Sequence, residues 1–447
     1  MEKRKETIKT FILLFLVVSS IFLTLSIVGN KSDYELLGLT NSKQEEQAKE
    51  KLKTNSLNLL SPNIIVKENK ENREEPPMEN AIIKASSVHG VKDKHIIKDI
   101  MRQISESEIV ATRIRTKSIN DILDKSKVYY SLNYNYLADT ISSQFIYSGD
   151  YNQSNSLSFD TVIIPDNTKN IIYLYKSNSD TYMQIEFNTD IYNYVESWFN
   201  VKSEIYSKYI VDGKRKIYVK EIISNYYKDE YSAKNVEINN VAQNIFSNSN
   251  NIKISNLDSN TKEATDGYSI LREKATEITY INPSNIIRTS NNNSQDEVEI
   301  QSISANFLLT GYVPDLDYTP TSIKNNKIEY SEVYQEGLVF SNDIISNISV
   351  QVNKEGVYTV SYPKIIRDTQ ISSTKMNVFS VENIDAVLNY LFNNVDLSLV
   401  EDVDLGYDKK YDKTNNKLIY TPTWYIKYNG KYIQLEDINE KVKKGEL

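Results

Sequence analysis

The chain has 447 residues, 40% of them hydrophobic and 25% charged, with a formal net charge of −8. That length suits about two to four folded domains, and the acidic balance argues against a nucleic-acid partner, which needs basic surface. With no cysteine, disulfides, thiol catalysis and cysteine-based zinc sites are excluded, and stability must come from packing. The 33 tyrosines, against 12 glycines and 9 prolines, favour half-buried strands.

The N-terminus carries Lys3, Arg4, Lys5 and Lys9, and then Phe11 to Val28 without a charge. A helix of this length rises about 27 Å, close to the thickness of a bilayer's hydrocarbon core. A removable export signal has a shorter apolar core, about 7–15 residues, and a small-x-small exit. Here the exit reads SIVGNKS. The reading is an uncleaved anchor: a cytoplasmic stub at 1–9, a transmembrane helix at 10–29, and the bulk of the chain outside the cell membrane. On that helix Ser19 and Ser26 lie nearly in line, with Ser20 and Thr24 close by. Small hydroxylic residues let helices approach and hydrogen-bond, so this face is a candidate partner-binding site; the alternative is that they bond back to their own helix.

Residues 30–79 are polar and include KENKENREEPP, a composition that cannot bury enough apolar area to order itself. They read as a tether, with LSPNIIV an edge strand of the first domain, 80–233. In that domain KDKHIIKDIMRQISESE places Ile96, Ile97, Ile100, Met101 and Ile104 at helical spacing. Strands follow at Val162 to Ile164, Ile171 to Tyr175 and Met183 to Phe187, and another in KRKIYVKEI.

A unit of one short helix and about three strands then repeats. INNVAQNIF precedes DGYSILREKATEITYIN in a central domain, 234–366, and IDAVLNYLFNN precedes TPTWYIKYNGKYIQLE in a C-terminal domain, 367–447. Between them DEVEIQSISANFLL is another helix and ISVQVNKEGVYTVSY a hairpin. Ser380 is a candidate N-cap, and Ile384, Val387, Leu388 and Leu391 form the stripe that lies on the sheet. Asn429-Gly430 predicts a type I′ turn that pairs Ile426 with Ile433 and Trp424 with Leu435 on a core face. Lys427 with Tyr432 and Tyr425 with Gln434 take the other face. The fold class is therefore α+β: a transmembrane helix followed by three extracytoplasmic domains, the last two of helix-on-antiparallel-sheet modules.

Catalytic patterns are scarce. His89 and His95, in VHGVKDKH, have no third ligand in view and read as a surface turn and a solvated helix face. Asp402, Asp404 and Asp408 in EDVDLGYDKKYD lack the Gly and Glu positions of a calcium loop and read as a charged strand and turn. Asp315 and Asp317 are a weaker pair, and nothing marks two carboxylates for glycoside hydrolysis. No catalytic residue, metal site or cofactor is expected.

The residues resemble one family. KRKETIKTFILLFLVVSSIFLTLSIV and FDTVIIPD look like the corresponding parts of YycH-type regulators. TDGYSILREKATEITYINP resembles the family's T-D-G, Arg-containing strand and Y-x-N-P. EVYQEGLVF, VYTVSYPKII and the ending GYD…TPTWYIKYNGKYIQL also match in order. Asp266, Gly267, Arg272, Asn282, Pro283, Gly337, Pro363, Trp424 and Gly430 carry the resemblance. It implies one membrane helix, three outer domains and a relative, YycI, sharing the last two folds. It further implies a non-catalytic role: binding and tuning a cell-wall-controlling sensor histidine kinase of WalK/YycG type, with a YycI-like protein as a further partner. The alternative is a tethered extracellular binding module for wall polymer or peptide.

Overall fold

The computed structural model describes residues 61–70, 81–139, 157–177, 179–212, 215–221, 226–246, 252–285, 297–353, 356–376 and 384–444. All fall in one compact unit, Asn55–Leu447. The expected membrane helix with Ser19, Ser20, Thr24 and Ser26, most of the tether and the Ser380 cap lie outside the described residues. Among the described residues no helix is long and apolar enough to cross a membrane.

The first half builds an antiparallel sheet. In chain order it runs β1 (Ile64–Asn69), β2 (Ile82–Val91), α1 (Lys94–Glu106), β3 (Ile109–Thr116), α2 (Asn120–Leu123) and β4 (Val128–Asp139). There follow β5 (Ser158–Pro165), β6 (Ile171–Tyr175), β7 (Thr181–Phe187), α3 (Ile191–Lys202), β8 (Glu204–Val211) and β9 (Arg215–Lys220). The nine strands lie in the order β3-β7-β6-β5-β4-β1-β2-β8-β9. The three strands expected between residues 162 and 187 are β5, β6 and β7, and α1 buries the five apolar residues of its stripe. Asp93 caps α1 by accepting from the amides of His95 and Ile96, satisfying two of the donors that a helix start leaves open. The stretch expected at a sheet edge is an interior strand instead: β1 lies between β4 and β2. Its three consecutive apolar residues, Ile64, Ile65 and Val66, are all buried, as a strand covered on both faces requires.

The second half runs β10 (Tyr227–Asn235), α4 (Ile238–Ile245), β11 (Lys253–Asn256), β12 (Lys262–Thr265), β13 (Ile270–Glu273), β14 (Glu277–Ile281), α5 (Glu297–Thr310) and β15 (Asp317–Lys324). It continues with β16 (Lys327–Tyr334), β17 (Gly337–Phe340), β18 (Ile348–Asn353), β19 (Gly356–Pro363) and β20 (Ile365–Lys375). It ends with α6 (Ile384–Asn394), β21 (Val400–Asp412), β22 (Lys417–Tyr428), β23 (Lys431–Gln434) and α7 (Leu435–Lys444). Both expected helix-then-strands units are present. Their strands join one 14-stranded sheet, because β17 pairs in parallel with β21 and β10 pairs with both β20 and β22.

That parallel join explains two glycines. A Cβ on Gly337 would stand 2.6 Å from the Leu405 carbonyl oxygen, and one on Gly406 2.5 Å from that of Leu338. The strands can approach this closely only where side chains are missing. The Asn429-Gly430 turn has φ of 49° and 76° and sets the expected register, Ile426 opposite Ile433 and Lys427 opposite Tyr432. Trp424 does not pair with Leu435, because β23 stops at Gln434 and Leu435 opens α7. The other face is not wholly polar either: Tyr425 is buried against Phe340, ring centroids 4.3 Å apart.

The two sheets share a core. Tyr209, Val211, Ile217 and Val219 of β8 and β9 pack in one cluster with Val387, Leu388 and Leu391 of α6 and with Leu405, Trp424 and Ile426.

Candidate functional site

The sheets meet around a polar cleft of about 1280 Å³, into which Glu68, Lys92, Lys94, Arg215, Asp402 and Asp404 project. A second cavity of about 550 Å³ lies beyond Lys94, lined by Arg367, Tyr334, Lys220 and Glu336 among others. The segment VKDKHIIK stands at this meeting. One expectation changes: His89, just before this segment, is exposed on strand β2 rather than in a turn, with its Nδ1 3.3 Å from the Ser203 hydroxyl, while His95 is exposed on α1 as expected. The chemistry lies in the lysines around them.

Lys92 reaches across to β21, its Nζ 2.7 Å from Asp404 Oδ1. Burial alone would lower its pKa, but Asp404 and Asp402 outweigh that and raise it. Lys98, one turn into α1, pairs with Asp317 at the start of β15. Lys220 of β9 pairs with Glu336 at 3.2 Å. Arg215 donates to the backbone carbonyls of Val400 at 2.5 Å and Ser398 at 2.7 Å. The first sheet is thus fastened to the second by cations of its own, each meeting an acceptor from the other side.

Lys94 differs. It is 7% exposed, and its Nζ donates to the Pro62 carbonyl at 3.0 Å. Among the described residues no carboxylate lies within ion-pair distance of it. Burial pushes its pKa down to about 8; Asp317 opposes this, and Lys98 and Lys92 add to it.

On the facing wall, Asp402 and Asp404 point the same way from β21. Asp402 accepts from the Val403 amide at 2.9 Å and from the Tyr432 hydroxyl at 3.4 Å. Burial and then the neighbouring Asp404 push its pKa up to about 6, against the pull of Lys92 and Lys427. Lys427 itself bonds Glu401 at 3.2 Å. Asp408, the third acidic residue of that run, carries Lys410 at 3.4 Å, away from this pair along the strand.

Deeper in the second sheet is a closed polar network. Lys409 and Glu332, both fully buried, meet at 2.9 Å; Arg367 joins Glu332 at 3.4 Å, and the Tyr420 hydroxyl donates to it at 3.0 Å. The Arg367 guanidinium lies 4.7 Å from the centroid of the Tyr334 ring. The Tyr334 hydroxyl donates to buried Asp229 at 2.6 Å. Its members satisfy one another, as buried charge requires.

The residues that carried the family resemblance are placed at turns and joins. Asp266 accepts from the amides of Tyr268 and Ser269, and Gly267 has φ of 94°, so T-D-G is a turn. Arg272 pairs with Glu263 across β13 and β12 at 2.9 Å. Asn282 accepts from Ser284, and Pro283 opens a 3₁₀ turn. Pro363 faces Glu277 across β19 and β14. Gly337 is at the close crossing, Trp424 is in the shared core, and the Gly430 amide donates to Glu401 at 2.7 Å.

Two sheets, one antiparallel and one mixed through its parallel β17–β21 join, share a common core and are held by cross-sheet cations around an open polar cleft, which defines an α+β scaffold. The chain belongs to the YycH family: the family model described as YycH protein, C-terminal domain, matches residues 214–441. The crystal structure of YycH from Bacillus subtilis has a TM-score of 0.56 at 13% identity, covering 85% of this chain and 96% of that one, a likeness of fold. A crystal structure of an uncharacterized protein from Eubacterium rectale ATCC 33656 covers 51% of this chain and 85% of its own, at 13% identity and a TM-score of 0.30. No curated protein matches.

Proposed function

We propose that this chain is a membrane-anchored, non-catalytic regulator that binds and tunes a sensor histidine kinase of WalK/YycG type, acting beside a YycI-like protein. The observation that carries this reading is the family match over residues 214–441. The uncharged run Phe11 to Val28 supports the anchor. The mechanism is differential contact: the anchor helix packs better against one signalling state of the kinase's membrane helices and raises that state's population. A tenfold shift needs only about 1.4 kcal/mol, within the range of a few interhelical contacts. Ser19, Ser20, Thr24 and Ser26 form the contact face.

Full-length protein drawn from its own membranes brings a histidine kinase with it, and a form whose anchor is exchanged for an unrelated helix does not. Replacing the four hydroxylic residues by Leu, at matched expression, changes kinase output at least several-fold. Unchanged output would remove that face from the mechanism, and equal recovery of the kinase with either anchor would move recognition to the outer part.

A further inference from the structure

Lys94 poses a problem that the fold does not solve. An ammonium has three donors, and this one, buried in the lining of the cleft, gives one of them to a backbone carbonyl. Four cations around it have counter-ions: Lys92 with Asp404, Lys98 with Asp317, Lys220 with Glu336 and Arg367 with Glu332; Arg215 is instead held by two further backbone carbonyls. Buried charge is normally paired because desolvation is costly. Among the described residues Lys94 has no carboxylate partner, and it borders both the large cleft and the second cavity. Along the same cleft Asp402 and Asp404 supply two carboxylates side by side, with Lys92 bound to one of them. One wall therefore offers an unneutralised cation and the facing strand an acidic pair.

We propose that the cleft takes a small zwitterion, an amino acid or the free end of a short peptide, whose carboxylate binds Lys94 and whose ammonium lies against Asp402 and Asp404. The volume of about 1280 Å³ exceeds what such a ligand needs and lies above the usual range of small-molecule pockets, about 300–1,000 Å³. The ligand's two charges need both groups charged, so binding is tightest while Lys94 is protonated and Asp402 ionised. Lys94 is protonated below about 8, with Lys92, Lys98 and Asp317 as its charged neighbours. Asp402 is ionised above about 6, with Asp404, Lys92 and Lys427 as its neighbours. This inference goes beyond the proposed kinase regulation and uses no kinase in its test.

The test is calorimetric titration of the full-length protein in detergent with trialanine, N-acetyl-trialanine, trialanine amide and inorganic phosphate. Saturable binding of trialanine is expected, at least tenfold tighter than that of either blocked peptide, with an optimum between pH 6 and 8. Lys94→Met weakens it at least tenfold, Lys94→Arg restores most of it, and Asp402→Asn weakens it with the acid limb of the pH profile lost. Thermal melts of each variant separate loss of binding from loss of fold. Absence of saturable trialanine binding overturns the proposal. So does equal affinity for the blocked peptides, binding of phosphate without the peptide, or a folded Lys94→Met protein that binds as wild type does.

Discussion

At the scale of single residues, the cleft holds two groups, Lys94 and Asp402, whose charged forms burial disfavours. Asp402 shows what that means for stability. Its pKa is raised from 3.8 to about 6 by burial and by Asp404. The folded state therefore holds this proton more tightly than the unfolded chain does. The stabilising contribution is full below about pH 4 and is lost as pH rises through about 6. At neutral pH the ionised side chain is therefore a net cost to the folded state, shared with the coupled Asp404–Lys92 pair. Asp402→Asn mimics the neutral form. Its melting temperature should exceed that of wild type at pH 7 by several degrees, and the two should converge near pH 4. Melts taken at half-unit steps of pH check this; a gap that does not change with pH would assign the effect to packing instead. A residue that costs stability without returning it in packing is the pattern found where function is being served.

At the scale of elements, the close crossing of β17 and β21 is the most exacting join. Gly406→Ala would put a methyl group 2.5 Å from the Leu338 carbonyl oxygen and 2.9 Å from the Tyr425 ring, a clash that only movement of the backbone relieves. Overpacking of this kind costs about 1–3 kcal/mol or more, which urea unfolding should report as a lower midpoint with an unchanged slope. Gly267→Ala is the contrast: its φ is 94° but nothing lies within 4 Å of the added methyl, so only backbone strain of about 1 kcal/mol is expected. How far such elements could be read from residues alone depends on the signal each carries. The α1 stripe, the β5 to β7 strands and the Asn429-Gly430 register were legible because a short-range period or a turn chemistry specifies them. The α3 helix was not seen, since IYNYVESWFNVK is built of Tyr, Val, Phe and Trp, which favour strands. β1 was misplaced at an edge because strand order is a long-range property. The same limit hid the cleft. VKDKH offers only its histidines and EDVDLG only a calcium-like spacing, yet Lys92 and Asp404 meet across 312 residues of sequence, and no local pattern announces such a contact.

At the scale of the whole molecule, the two sheets are joined by a core rather than by a flexible seam. Polar fasteners alone would leave them free to part: mostly buried ion pairs return little beyond the cost of desolvating them. The apolar cluster that draws on β8, β9, α6, β21 and β22 is a different matter, because opening it would expose side chains such as Val211, Leu391 and Ile426, each fully buried. Leu391 sits in the helix that closes this cluster, and Leu391→Ala removes buried methyl groups at a cost of about 2–5 kcal/mol. If the sheets form one cooperative unit, that loss is felt in both. Hydrogen exchange should quicken to a similar degree in β5 to β7, remote from the mutation, and in β21 and β22, next to it, and calorimetry should show one transition that moves as a whole. Exchange that quickens in β21 and β22 alone, with a second transition splitting away, would mean that the sheets unfold separately and that the cleft between them can open without loss of either fold. Adding salt distinguishes the fasteners from the core in the same experiment: it loosens the pairs of Lys92, Lys98 and Lys220 but leaves the single transition intact, since burial of apolar surface does not depend on screening.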